Sequence, residues 1–238
     1  MRILPAALVV LLAAAPLAAA EAKPNVLLIT VDTLRTDRLG CYGSTAVRTP
    51  AIDALAARGT LFTRAFAHTP STLPSHANIL LGLTPNAHGV HDNSNFIVRD
   101  DFLTMAEWLK AQGYATGAFV GAFPLDSRFG LVQGFDVYDD NYGSQGPTDM
   151  TFVERKADAV VGKAVEWLDG RPGPWFLWVH VFDPHQPYEP PEPFRKSPHG
   201  RKKCGHLLDV VIDIVGFLTK LHQEIGDIPV DAFKPGVA

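Results

Sequence analysis

The sequence predicts an α/β fold, a mainly parallel sheet with helices on both faces, and three apolar runs carry that prediction. Residues 115–120 return as a strand after the helix stop at Gly113, and residues 25–31 (Asn-Val-Leu-Leu-Ile-Thr-Val) and 175–182 are rich in β-branched and aromatic side chains and show no polar alternation. That is the pattern of strands covered on both faces, as in a parallel sheet. Stretches with helical spacing lie between them, and strands alternating with helices call for crossover connections.

The elements follow in order. Arg2, an apolar stretch over residues 3–17 and Ala18-Ala19-Ala20 read as a cleaved signal peptide over residues 1–20. The apolar core is shorter than the ~20 residues of a membrane-spanning helix. Export is therefore expected, to the periplasm or outside the cell, with no stable membrane anchor after cleavage. The strand at 25–31 ends at Asp32. Thr49-Pro50 opens a short helix through residue 57, with proline at its first position and Gly59 past its end. Residues 61–67 are expected to form another strand. A helix enters at Ser71-Thr72 and runs to Gly82, and residues 84–93 form a polar loop. A helix over about 101–112 carries Phe102, Met105, Ala106 and Leu109 on one face and stops at Gly113. A longer helix over about 151–168 is closed by Gly170, and the strand at 175–182 runs into Asp183-Pro184-His185. The proline-rich stretch 184–198 reads as an irregular loop, and residues 207–223 as an amphipathic helix with Asp209, Asp213 and Lys220 on its polar stripe. Three regions result: the leader at 1–20, an α/β domain at 21–198, and a divergent tail at 199–238.

A chain of 238 residues with 47% hydrophobic content is long enough to bury one real core. Its net charge of −4 comes without a basic stripe, so no nucleic-acid partner is implied. Cys41 and Cys204 permit a single disulfide that spacing does not decide, and two cysteines exclude a cysteine-based zinc module.

The polar residues of interest follow strands or open helices. In open α/β sheets ligands bind beyond the carboxyl ends of the strands, where Asp32, Thr72 and the 183–185 segment are all expected. Thr72 opens Thr-Leu-Pro-Ser-His, so its hydroxyl would stand beside backbone N–H groups and the positive end of a helix dipole, a setting that favours phosphate or sulfate. The alternative is helix capping, the usual task of Ser and Thr there. An ionised Asp32 at the end of a buried strand calls for a metal or an arginine, with Arg35 and Arg38 nearby. Asn93 can donate to an oxygen of a group under attack. His185, held between Pro184 and Pro187, suits oxyanion binding or protonation of a leaving group. His76 would orient the nucleophile loop. His88 reads as a loop hydrogen-bonder, His91 is undecided, and His180, inside a strand, reads as a satisfied core histidine. Asp37 reads as structural.

These pieces together resemble the amino-terminal part of the sulfatase family of the alkaline phosphatase superfamily. The matching segments are Asn25 to Asp32 with Asp37-Arg38-Leu39-Gly40-Cys41-Tyr42-Gly43; Thr72-Leu73-Pro74-Ser75-His76; Gly82-Leu83-Thr84-Pro85 with His88-Gly89-Val90; Gly134-Phe135-Asp136; and Asp183-Pro184-His185-Gln186-Pro187-Tyr188. The resemblance implies an alkaline phosphatase-like sheet and a divalent metal, whether zinc, calcium or manganese. It further implies a small-molecule sulfate or phosphate ester as substrate.

The departures sharpen the expectation. Family sulfatases carry a cysteine or serine in C-x-P-x-R that becomes formylglycine, whereas Thr72 and His76 stand at the first and last positions here. Threonine cannot be converted in that way, and Cys41 lies in a different context. Thr-x-Pro-x-His with a downstream asparagine resembles the nucleotide pyrophosphatase and phosphodiesterase branch, in which the threonine is nucleophile and the asparagine is the oxyanion partner. Asp183-Pro184-His185, by contrast, resembles the sulfatase form of its loop. A phosphothreonine can be attacked at phosphorus by activated water, so phosphate mono- and diesters join sulfate esters as expected substrates. The family's Gly-Lys-Trp-His segment is replaced by Val120-Gly121-Ala122-Phe123-Pro124, and no Asp-His or Asp-Asn pair follows His185. The expectation is thus an exported metal-dependent hydrolase in which Asp32 and Thr72 hold the metal, Thr72 attacks, Asn93 and His76 serve the substrate and nucleophile loop, and His185 acts on the leaving group. The sheet is expected to be incomplete at the carboxyl end. The alternative is a truncated, inert remnant that folds or binds anions without turnover.

Overall fold

The computed structural model describes residues 23–45, 48–142 and 155–185. The expected leader, the loop and tail expected from 186 onward, Cys204 and the first four residues, 151–154, of the helix expected over 151–168 lie outside the described residues. Within them β1 (Val26–Val31), β2 (Ala115–Val120), β3 (Val137–Asp139) and β4 (Trp175–Val181) form one sheet in the order β1-β4-β2-β3. Every pairing is parallel, with Thr30 opposite His180 and Val120 also opposite His180 on the other side. The α/β fold expected from the apolar runs is the one observed.

Helices cover both faces, and the period-two alternation of the strands sorts the side chains between them. Phe176 and Trp178 of β4, Ala118 and Val120 of β2, and Val26 and Leu28 of β1 face one core, packed against Leu73, Ala77 and Leu80 of α2 (Thr72–Leu81) and Ala106 and Leu109 of α4 (Met105–Ala111). Trp175, Leu177, Val179 and Val181 of β4 and Phe119 of β2 face the other core, against Val160, Ala164 and Leu168 of α5 (Ala157–Leu168). By this parity Thr30, Asp32 and His180 all lie on the α2 side.

Local chemistry sets several boundaries that periodicity misplaced. The helix expected from residue 101 begins at Met105, because Thr104 and Glu107 form a reciprocal capping box: the Thr104 hydroxyl accepts from the Glu107 N–H at 3.1 Å, and the Glu107 carboxylate accepts from the Thr104 N–H at 2.8 Å. Residues 61–67 are not a strand. A turn at Thr63-Arg64 interrupts them, no neighbouring strand pairs with them, and Phe62 and Phe66 are exposed. The loop expected at 84–93 contains one helical turn, α3 (Pro85–His88). The three residues of β3 escaped prediction, being too short and too exposed to leave a pattern. Ahead of them, Gly134 adopts a positive φ of 83° where a Cβ would run into the α4 backbone at Glu107, and Asp136 accepts from the Thr116 N–H at 2.9 Å. The Gly-Phe-Asp segment is therefore a clasp between α4, β2 and β3.

The first helix, α1 (Pro50–Arg58), is tied to the turn after β1 by Asp53, whose Oδ1 accepts from the Cys41 N–H and the Thr49 hydroxyl at 2.6 and 2.9 Å. Gly40 sits against that carboxylate with no room for a Cβ. The Gly40-Cys41-Tyr42 segment thus has a packing role.

Candidate active site

Thr72 is the first residue of α2, but it does not cap the helix. Ser71 holds the cap position in extended conformation without a side-chain bond, and the amide oxygen of Asn93 accepts from the Leu73 N–H at 2.8 Å. Pro74 has no N–H to satisfy in that first turn. The Thr72 hydroxyl, half-buried and relieved of capping, instead donates to Asp32 Oδ2 at 3.3 Å. With one lone pair of its oxygen taken by the helix, the Asn93 amide keeps both of its N–H donors to offer a ligand.

His76, one turn further along α2, is buried beneath Thr72. Its Nδ1 lies 2.7 Å from the Thr72 carbonyl oxygen, which can only accept, so Nδ1 carries the hydrogen. Burial pushes the His76 pKa down to about 3, with neighbouring His180 acting in the same direction and outweighing the Thr72 carbonyl and Asp32. The ring is neutral at pH 7, and its Nε2 has no partner.

His180 is fully buried on β4, its ring centroid 4.8 Å from that of His76 in an edge-on arrangement. Both of its ring nitrogens are without a hydrogen bond, and Nε2 lies 3.6 Å from Asp32 Oδ2. It is not the satisfied core histidine that its strand position suggested. The parallel register explains the meeting: His180 stands opposite Thr30, and Asp32 follows two residues later on the same face. Burial alone would raise the Asp32 pKa. The nearby His180, then His76 and His185, outweigh that effect and hold the carboxyl below its ordinary value.

The other expected residues divide. His185 stands past the end of β4, stacked on Phe182 with ring centroids 4.3 Å apart. Asp183 turns away to accept from the Ala157 N–H at 2.9 Å, at the start of α5. Asp37 pairs with Arg35 at 2.8 Å, as a structural residue would. His88 links the Asn78 amide at 2.7 Å to the Val90 N–H at 3.1 Å, and His91 packs on Phe96. The structure therefore gathers Asp32, Thr72, His76 and His180 at the carboxyl ends of β1 and β4, with Asn93 joined through the α2 amino terminus.

Whether a metal fits can be judged from the donors. Asp32 Oδ2 and Thr72 Oγ1, 3.3 Å apart, are two hard oxygens of the kind divalent cations take. Among the described residues, however, no three His, Cys, Asp or Glu side chains come together to hold one. The described residues alone do not make a closed metal site.

The Sulfatase family model matches residues 24–228, which takes in all five segments of the sequence resemblance. The chain belongs to the sulfatase family. This sulfatase-family chain is 42% identical over 107 residues to an N-acetylgalactosamine-6-O-sulfatase of Bacteroides thetaiotaomicron, covering 43% of itself and 21% of that protein. It superimposes on a phosphonate monoester hydrolase of Agrobacterium radiobacter with a TM-score of 0.60 at 28% identity, covering 72% of itself and 43% of the hydrolase. It shares its fold with an alkaline phosphatase superfamily protein of Vibrio parahaemolyticus, TM-score 0.64 at 22% identity, covering 85% of itself and 51% of that chain. It thus spans well under two thirds of the length of each. Among its described residues no helix is long and apolar enough to cross a membrane.

Proposed function

We propose that this chain carries the nucleophile half of an exported hydrolase of sulfate or phosphate esters, with Thr72 as the attacking residue. The observation that carries the proposal is the Thr72 hydroxyl at the α2 amino terminus, freed from capping by Asn93 and directed at the Asp32 carboxylate 3.3 Å away. Thr72 Oγ attacks sulfur or phosphorus in line, its proton passing toward Asp32. The bond to the ester alcohol breaks, His185 protonates the departing oxygen, and a threonyl ester remains for water to cleave. The α2 amino terminus and the Asn93 N–H groups face the charge that builds on the non-bridging oxygens. His76 fixes the first turn of α2 through the Thr72 carbonyl. The family's divalent cation, zinc, calcium or manganese, would contribute Lewis acidity beside Asp32 and Thr72, and further ligands beyond the described residues would have to complete its shell.

The relatives support both ester classes, one being named a sulfatase and another a phosphonate monoester hydrolase. A threonyl sulfate lacks the C–O exit that a formylglycine hydrate has, which favours phosphoryl over sulfuryl transfer here. The leader at 1–20, the α/β domain at 21–198 and the separate tail at 199–238 belong to the same proposal. Small esters are its partners, with neither nucleic acid nor a lasting membrane anchor.

The test is hydrolysis of aryl phosphate, aryl phosphodiester and aryl sulfate by the purified chain with added zinc, manganese or calcium, followed by acid quench and mass analysis of the Thr72 peptide. A phosphorylated or sulfated Thr72 supports the reading, and equal turnover by Thr72→Ala ends it. A second reading, an inert remnant that only folds or binds anions, is favoured by the incomplete set of ligands among the described residues. Metal content separates the two, since an inert remnant holds no stoichiometric divalent ion.

A further inference from the structure

His180 is out of place as a core residue. It occupies β4 among Phe176, Trp178 and Val179, all fully buried, and is itself fully buried with neither nitrogen bonded. Stripping an imidazole of water without replacing its hydrogen bonds costs about 1–3 kcal/mol, a cost that leucine or phenylalanine would avoid at the same position. Two polar side chains stand beside it, the His76 ring at 4.8 Å between centroids and the Asp32 carboxylate, and of these only the ionised carboxylate is purely an acceptor of hydrogen bonds. Asp32 Oδ2 is 3.6 Å from Nε2, beyond hydrogen-bond length, and it is the same oxygen that the Thr72 hydroxyl approaches at 3.3 Å. The two backbones cannot drift apart, because β1 and β4 pair along their whole length and the Asp32 N–H donates to the Val181 carbonyl at 3.0 Å. A small turn of either side chain closes the gap, and hydrogen bonds of this kind are often long before a substrate is bound.

We propose that His180 is the positioning residue of the nucleophile: its Nε2–H donates to Asp32 Oδ2 and holds that oxygen against the Thr72 hydroxyl. The proposal rests on the reading of Thr72 as nucleophile and adds to it a residue from the opposite strand. Nε2 then carries the hydrogen and Nδ1 the lone pair. His76, whose hydrogen is on Nδ1, braces the other side of the pocket through the Thr72 carbonyl. One histidine thus sets the backbone of the nucleophile and the other sets its acid–base partner.

The experiment has two arms on the full 238-residue chain. Histidine-selective 15N NMR reads which ring nitrogen of His180 is protonated; the Nε2–H form, with its signal shifted in Asp32→Leu, is expected. An Nδ1–H form, or a signal indifferent to Asp32, overturns the proposal. In the second arm, His180→Leu should lower kcat for the aryl ester by about tenfold to a hundredfold, as loss of a charge-assisted bond does, with KM and thermal midpoint little changed. His180→Gln, which keeps an N–H donor, should recover most of that loss. Wild-type kcat in the Leu variant, or equal losses in both, overturns the proposal. If Thr72→Ala retains full activity, the nucleophile reading fails, while the NMR arm still decides the His180–Asp32 bond.

Discussion

Two polar clusters, each with a buried centre, sit at the carboxyl ends of the strands, and they are finished differently. Around β3 every group named is paired. Arg155, nearly buried, donates two parallel hydrogen bonds to the Asp139 carboxylate at 3.0 and 3.1 Å, Asp126 holds Arg128 at 2.7 Å, and Asp140 accepts from the Ser127 N–H at 2.7 Å. Tyr138 and Tyr142 donate to the Leu125 and Ala122 carbonyls at 2.6 and 2.8 Å. Around β1, Asp32 and Thr72 meet at a long 3.3 Å, and three ring nitrogens of His76 and His180 have no partner. Buried polar groups are normally satisfied, so a satisfied cluster reads as architecture and an unsatisfied one as a place awaiting a ligand. Position at the sheet edge does not separate the two. The bonding state does.

If that contrast is right, substitutions should divide cleanly between activity and stability. The largest effect is expected for Thr72→Ala: kcat/KM on aryl esters should fall ~1000-fold or more, with the urea midpoint unchanged. A stable, inactive variant in steady-state assays checks it, whereas a destabilised one would place Thr72 with the architecture. The mirror case is Arg155→Met, which leaves Asp139 unpaired and should cost about 3 kcal/mol in urea unfolding. A loss of activity without loss of stability there would blur the division.

The pH dependence of stability comes next. The His76 pKa is depressed to about 3 in the fold, while the unfolded ring titrates near its ordinary 6.5. The unfolded state therefore binds the extra proton, and stability falls as pH drops below about 6.5, by at most ~1.4 kcal/mol per pH unit. Urea titrations at pH 7, 6 and 5 should show this slope, and His76→Phe should flatten it. The smallest effect is expected for Asn93→Ala. Losing the acceptor for the Leu73 N–H should cost ~1 kcal/mol of stability, with a further drop in activity as the first turn of α2, which carries Thr72, loosens.

What the sequence disclosed follows from how local each signal is. Strands β1 and β4 were readable because a run buried on both faces has no alternation, and β4 is buried at all seven positions. The places of Thr72 and Asp32 in the fold were readable because a helix entrance and a strand end mark themselves. His180 was hidden by the same run that revealed β4. Only the inter-strand register, Thr30 against His180, shows that it looks toward Asp32, and no window of sequence contains that pairing. Asn93 was credited with an oxyanion contact, but its bond to an N–H twenty residues back depends on how the loop returns. The segment at 61–67 failed for the opposite reason: its composition suits a strand, but strands also need a neighbour, which composition cannot supply.

The order β1-β4-β2-β3 also sets a timetable for synthesis. The first strand has its only described neighbour in β4, and the Asn25 side chain reaches the Trp175 N–H across 150 residues of chain. At a synthesis rate of roughly 5–20 residues per second, β1 waits about 10–30 s for that partner. During this interval Val-Leu-Leu-Ile-Thr-Val is an unpaired apolar edge open to the wrong strand. Pairing β1 with β4 closes a loop of roughly 150 residues, a long-range contact of the kind that slows refolding. Since Asp32 follows that strand and His180 belongs to its partner, the two halves of the site meet only once residues about 150 positions apart have paired.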